Sequence, residues 1–175
     1  MPDKRWLGFL VALVVFAAVS FTVKNNVRNN PGLAFGQGET LESFTLPDTT
    51  GTPVELQAYI EAHELTWVNF WATWCGPCRQ EMPLMAKLYE EHSADGFGIV
   101  AISVSEEPQT VKTYLNQNPV PFTILLDEDG SVSQRYRVQA LPTSFLVDST
   151  GQVLQTGVGF QQSWEYVVNQ RMGDN

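Results

Sequence analysis

The sequence is short of cysteine and of positive charge, and each shortage excludes a class of function. Two cysteines among 175 residues cannot staple a disulfide scaffold, and one Cys-x-x-Cys without a second Cys or His pair cannot close a structural tetrahedral zinc site. Ten Lys and Arg stand against nineteen Asp and Glu, for a formal charge of -9 and a sequence pI near 4.6. The basic footprint of a nucleic-acid binder is missing, which excludes DNA and RNA as partners. Charged residues make up only 17% of the chain, yet 43% is hydrophobic and 11% aromatic, enough apolar side chain for a packed core. The length suits one ordinary domain with an appendage. Both cysteines lie together, at Cys75 and Cys78, so redox chemistry is the leading use of the sulfur.

The appendage is expected at the N-terminus. Trp6 to Val23 is a run of 18 residues without a charge; as a helix it reaches roughly 27 Å, close to a bilayer's hydrocarbon core. Residues 1–23 are read as a membrane anchor, with a removable signal peptide cut after Ser20 as the alternative. Lys4 and Arg5 on one side are matched by Lys24 and Arg28 on the other, so the basic residues tie on orientation. The free amine on the short N-terminal tail favours export of everything after Val23. Residues 24–38, polar and rich in Asn and Gly, read as a flexible tether. From Pro31 onward there are six Lys and Arg against eighteen Asp and Glu, a strongly acidic domain whose charge serves solubility.

Residues 39–175 carry short apolar or β-branched runs bounded by turn residues: 44–46, 54–56, 67–72, 98–104, 122–126, 144–147 and 153–158. These predict strands, with helices between them at about 77–93, 107–118, 131–137 and 161–172. Alternation of strand and helix implies a largely parallel core, and the Asp48–Gly51 and Asp148–Gly151 turns imply two antiparallel hairpins. The expected fold is α/β, a mixed central sheet flanked by helices with an extra N-terminal β-hairpin.

The predicted helix at 77–93 begins inside the Cys-x-x-Cys. Pro77 suits a first turn, and Cys78, Met82, Met85 and Tyr89 recur at helical spacing on one buried stripe. Cys78 is therefore expected to face inward and Cys75 to sit near the exposed helix N-terminus. The helix dipole and unpaired amides there favour a thiolate at Cys75. Cys75 attacks a target disulfide in this reading, and Cys78 resolves the mixed disulfide by attacking Cys75. Gly76 leaves the approach surface without a Cβ, and Pro77 fixes the turn.

The stretch VNFWATWCGPCRQEMP, residues 68–83, resembles the thioredoxin superfamily, specifically its membrane-anchored TlpA/ResA-type thiol-disulfide oxidoreductases. The likeness extends over most of residues 39–175 and takes in Pro83 and the run Ala140-Leu141-Pro142-Thr143. It implies a thioredoxin-like fold, a redox disulfide between Cys75 and Cys78, no cofactor and no metal. Pro142 matches the family's cis-proline, and Leu141 would pair with an extended substrate segment. Where cytosolic thioredoxins carry a buried Asp, this chain has Asn69, which cannot act as a base. In the ResA-like branch a Glu three residues after the second Cys is implicated instead, here Glu81. At i+3 from Cys78 it is positioned to reach the inner thiol, or it is an ordinary exposed helix Glu. Trp74 and Trp71 flank the motif as docking residues, Trp71 equally as core. Arg79 either adds positive field to the thiolate or is solvated. His63 and His92 read as surface helix residues, and Glu106 and Glu107 as helix-start acids without chemistry.

The resemblance implies a reductase of protein disulfides on the extracytoplasmic side of a cell membrane, acting on targets such as apocytochrome c thiols and fed by a transmembrane CcdA/DsbD-type electron donor. An exported copper metallochaperone, or a reductase of a copper-delivery protein, is the alternative, although Sco-type copper proteins use a wider Cys spacing and a His ligand. A thiol peroxidase is disfavoured, because peroxiredoxins place Thr three and Pro seven residues before the reactive Cys, where this chain has Ala72 and Val68.

Overall fold

The computed structural model describes residues 32–173; the expected anchor and the tether up to residue 31 lie outside the described residues. Among the described residues, seven strands and five α-helices follow in the order β1 (Thr45–Pro47), β2 (Pro53–Glu55), α1 (Leu56–Glu61), β3 (Leu65–Trp71), α2 (Gly76–His92), β4 (Phe97–Val104), α3 (Pro108–Gln117), β5 (Thr123–Asp127), α4 (Ser131–Arg135), β6 (Thr143–Asp148), β7 (Val153–Val158) and α5 (Ser163–Gly173). A 3₁₀ turn at Ser93–Asp95 links α2 to β4.

β5, β4, β3, β6 and β7 form one five-stranded sheet in that order. β3 pairs in parallel with β4, and β4 with β5, whereas β6 runs antiparallel to both β3 and β7. This is the expected mixed α/β sheet. Its central strand β3 is buried along all seven residues, the signature of a strand covered on both faces. The alternation along β3 divides the core in two. Trp67 and Trp71 pack with Met82, Met85, Leu88 and Trp164 from α2 and α5. Val68 and Phe70 pack on the other face with Leu56, Ile60, Tyr136 and Phe145. Asn69 shares the Trp67 and Trp71 face by strand parity, so a polar side chain is directed into the layer beneath α2.

Both hairpins form. β1 and β2 make the separate two-stranded N-terminal sheet, and the Asp48 carboxylate closes its turn by accepting from the Thr50 and Thr52 amides. Asp148 does the same for Thr150 and Gln152 between β6 and β7. Helix α5 rests against β7 at Gly157, where a Cβ would come within 2.7 Å of the Trp164 ring; only glycine permits that approach.

Two expectations are corrected. The sequence reading has no helix α1 and ends a strand at Leu56; Leu56 and Ile60, one turn apart, bury themselves on the sheet and make the helix by tertiary contact rather than by propensity. Residues 32–38, expected as tether, are docked on the domain: the Ala34 amide donates to the Tyr136 carbonyl and the Gly38 amide to that of Val153, while Leu33 and Phe35 pack against the Tyr136 side of the core. Among the described residues no helix is long and apolar enough to cross a membrane.

Candidate active site

The loop leaving the C-terminal end of β3 delivers Cys75 to the N-cap of α2. Cys75 has extended backbone geometry, and its sulfur accepts the Cys78 amide hydrogen at 3.2 Å, which satisfies one of the donors a helix N-terminus leaves unpaired. Pro77 occupies the first turn, where its missing N–H costs nothing. Cys75 and Cys78 are joined as a disulfide with Cα atoms 5.3 Å apart. The expected pairing is therefore present, and Cys78 faces inward at 1% exposure; Cys75, expected near an exposed tip, is itself only 5% exposed. Its N-cap backbone folds the sulfur over the first turn instead of away from it, and the disulfide holds it there. Trp74, by contrast, stands 69% exposed beside the motif. A Cβ on Gly76 would meet nothing within 4 Å, so the space in front of it is open.

The Leu141–Pro142 peptide bond is cis. Pro142 immediately precedes β6, whose first residue Thr143 pairs with Phe70, so it lies at the same end of the sheet from which the Cys75 loop departs. The Gly159 amide donates to the Pro142 carbonyl at 2.8 Å and the Thr143 hydroxyl to the Ala140 carbonyl at 2.8 Å. Leu141 is half-buried against the cluster that holds both cysteines. The structure thus brings together the three segments singled out in the sequence: residues 74–78, Glu81 and residues 141–142.

Glu81 is not an exposed helix residue. It is 1% exposed on the inner face of α2, one helical turn from Cys78. Asn69 donates from Nδ2 to Glu81 Oε2 at 2.8 Å, while Oε1 is buried without a partner. Burial pushes the Glu81 pKa up to about 7, and the Asn69 amide only partly opposes it. A carboxyl whose pKa is raised this far changes protonation state near neutral pH. Asn69 is thus no base, as expected, yet it is part of the site. A polar residue at an inward position of an aromatic strand signals a hidden partner, and that signal is present in the sequence.

Glu106, expected as a helix-start acid without chemistry, has a structural task instead. It is 7% exposed and accepts from the Thr73 amide at 2.8 Å, the Thr73 hydroxyl at 2.5 Å and the Ser103 hydroxyl at 2.9 Å. It ties the loop that carries Trp74 and Cys75 to the end of β4, a contact only the three-dimensional topology creates. Glu107 caps α3 by backbone position, without a side-chain bond. Arg79 is exposed and lines a cleft of about 430 Å³ with Met82, Ala86, Tyr114 and Val120. Trp71 is fully buried and belongs to the core. His63 follows α1 rather than lying on it, half-buried, with its ring stacked on Tyr59; His92 closes α2 and meets Asn169. Among the described residues no group of three or more His, Cys, Asp or Glu converges as a metal site.

Comparison with known proteins agrees with this geometry. The model of the AhpC/TSA family matches residues 37–156. The thiol-disulfide oxidoreductase ResA of Bacillus subtilis (strain 168) is 34% identical over 161 residues, covering 91% of this chain and 88% of that protein. ResA of Geobacillus kaustophilus (strain HTA426) is 34% identical over 149 residues, 85% of this chain and 84% of that one. A DsbE-type thiol:disulfide interchange protein from Chlorobium tepidum superposes with a TM-score of 0.71 at 34% identity, over 79% of this chain and 96% of that chain. Sequence, fold and site lead to one conclusion: the chain belongs to the AhpC/TSA family of thioredoxin-like proteins and, with its ResA relatives, is a thiol-disulfide oxidoreductase.

Proposed function

We propose that this oxidoreductase works as a reductase of protein disulfides on the extracytoplasmic side of a cell membrane, with Cys75 as attacking sulfur, Cys78 as resolving sulfur and Glu81 as the group that holds the resolving proton. The observation that carries the reading is the unlike placement of the two sulfurs: Cys75 at the helix N-cap, Cys78 one turn inside it and one turn from a buried carboxyl. In the reduced protein the Cys75 thiolate, favoured by the amides and dipole of α2, attacks one sulfur of the target disulfide. That S–S bond breaks, one target sulfur leaves as thiolate, and Cys75 is joined to the other. Cys78 passes its proton to Glu81 and attacks Cys75; the Cys75–Cys78 bond forms, and the second target sulfur leaves and is protonated. Two electrons have moved from the dithiol to the target.

An oxidising compartment leaves Cys75–Cys78 as a disulfide until an external dithiol reduces it, so the reading includes a transmembrane donor of the CcdA/DsbD type. Support for the location is the uncharged run Trp6–Val23. We take the disulfide of oxidised apocytochrome c as the target, its thiols being the product, following the resemblance to ResA-type proteins. Trapping tests this: a Cys78→Ser protein accumulates the mixed disulfide on Cys75, and mass spectrometry identifies the captured chain. Capture only by Cys75→Ser reverses the two roles. Capture of a copper-delivery protein in place of apocytochrome c changes the target and keeps the chemistry. Stoichiometric Cu(I) retention without disulfide reduction, or rapid hydrogen peroxide turnover, replaces the reading altogether.

A further inference from the structure

Asn69 uses both of its amide hydrogens. One goes to Glu81 Oε2 at 2.8 Å and the other to the Ser144 hydroxyl oxygen at 2.9 Å. Ser144 also accepts from the Trp67 indole N–H at 2.9 Å, so two donors fix the hydroxyl from behind. All three side chains are buried, at 1% exposure or less for Trp67 and Asn69 and 2% for Ser144. The chain Trp67–Ser144–Asn69 joins β3 to its antiparallel neighbour β6, where Asn69 and Ser144 are register partners, and it ends on one oxygen of one carboxyl.

We propose that Asn69, braced by Ser144 and Trp67, is a positioning residue for Glu81: by occupying Oε2 as an acceptor, it reserves Oε1 as the oxygen that carries the proton and exchanges it with Cys78. This rests on the proposed role of Glu81. A protonated carboxyl has one hydroxyl and one carbonyl-like oxygen. An N–H donor binds the carbonyl-like oxygen, which leaves the hydroxyl on Oε1. In the disulfide form Oε1 is buried with no partner, a costly state for a polar atom. Opening the disulfide creates a thiol on Cys78, one helical turn away, which gives Oε1 the partner it lacks. Among the described residues no charged side chain acts on Glu81, and Cys78 is the titratable neighbour on its own helix. β3 and β6 bring only the uncharged Asn69 and Ser144 to the network.

Infrared spectroscopy of the full-length oxidised protein tests this directly. The carboxylic-acid carbonyl band of Glu81, assigned by its loss in Glu81→Gln, is followed against pH. An amide donor favours the ionised carboxylate, so Asn69→Ala is expected to move the midpoint upward by about one pH unit, a tenfold gain in proton affinity. Ser144→Ala is expected to move it in the same direction by less. An unchanged midpoint in Asn69→Ala overturns the proposal. So does a downward shift, which would mean that the amide accepts from a proton on Oε2. Ser144→Ala removes only the bracing hydroxyl and carries the same test if Asn69→Ala does not fold; no movement there equally sinks it. The pH profile of disulfide reduction by the pre-reduced protein separates this from the reading beneath it. If Glu81→Gln leaves that profile unaltered, the role of Glu81 itself fails; if it alters the profile and Asn69→Ala does not, only the positioning role fails.

Discussion

A single buried carboxyl has consequences for stability as well as for proton transfer. The Glu81 pKa is raised to about 7 from an ordinary value of 4.5, so the folded oxidised protein holds a proton that the unfolded chain has already released. Below pH 4.5 both states are protonated and the group is neutral with respect to folding. Between 4.5 and 7 the unfolded state ionises first and stability falls, by on the order of 3 kcal/mol in all; above 7 it levels off. Urea denaturation of oxidised protein across this window is expected to show that decline, and Glu81→Gln to flatten it. Trp74 is the second residue with a separable effect. Its exposed ring offers apolar area beside Cys75, so Trp74→Ala is expected to lower kcat/KM for a protein disulfide about tenfold, roughly 1.4 kcal/mol, while leaving a small aromatic disulfide reagent's rate unchanged. At this scale the cysteine pair is legible from its spacing, whereas the cis bond before Pro142 and the choice of Glu81 come from the family resemblance. The partners of Glu81 and Glu106 are less legible, since Ser144 lies 75 residues from Asn69 and Thr73 lies 33 from Glu106.

Among elements, the strand and helix order is legible from hydrophobic period, and the edges move by a residue or two as caps and pairing dictate. β3 gains Leu65 and Thr66 because Phe97 and Gly98 of β4 pair with them. Helix α1 stays hidden in the sequence because six residues are too few to display a period. Short helices of this kind survive through their ends and their packing, and α4 shows how. Asp127 at the end of β5 accepts the Val132 amide at 3.1 Å and the Ser133 amide at 2.8 Å, and it is fully buried. Gly130 enters the helix at φ 70°, and a Cβ there would come within 2.5 Å of the Ser105 hydroxyl. Asp127→Ala leaves two amides of a five-residue helix without acceptors, and equilibrium denaturation is expected to register a loss of about 2 to 4 kcal/mol. Disulfide exchange by the folded fraction should persist, because α4 packs on the sheet face away from the cysteines.

For the whole molecule, the residues from Gly32 onward form a compact unit of their own. That unit contains both core clusters and the candidate site. A protein beginning at Gly32 is therefore expected to fold with wild-type cooperativity and to reduce a small disulfide at an unchanged rate. One beginning at Glu39 loses Leu33 and Phe35 from the core and is expected to lose about 2 to 4 kcal/mol. Thermal and urea unfolding of the two proteins measures the difference. Composition alone puts that boundary seven residues too late because Asn, Gly and Gln suggest a linker, whereas two apolar side chains and a pair of backbone hydrogen bonds decide the matter in the folded protein.

Under the proposed role of Glu81, its Oε1, buried without a partner in the disulfide form, ties electron uptake to acidity. Opening the disulfide would create a Cys78 thiol one helical turn from it, so the number of protons taken up with two electrons is expected to change as this carboxyl titrates. A plot of midpoint voltage against pH should bend near 7, each coupled proton contributing about 30 mV per pH unit to the gradient, and removal of the carboxyl should straighten that segment. A modest change in ambient acidity is then expected to alter how readily the dithiol gives up its electrons.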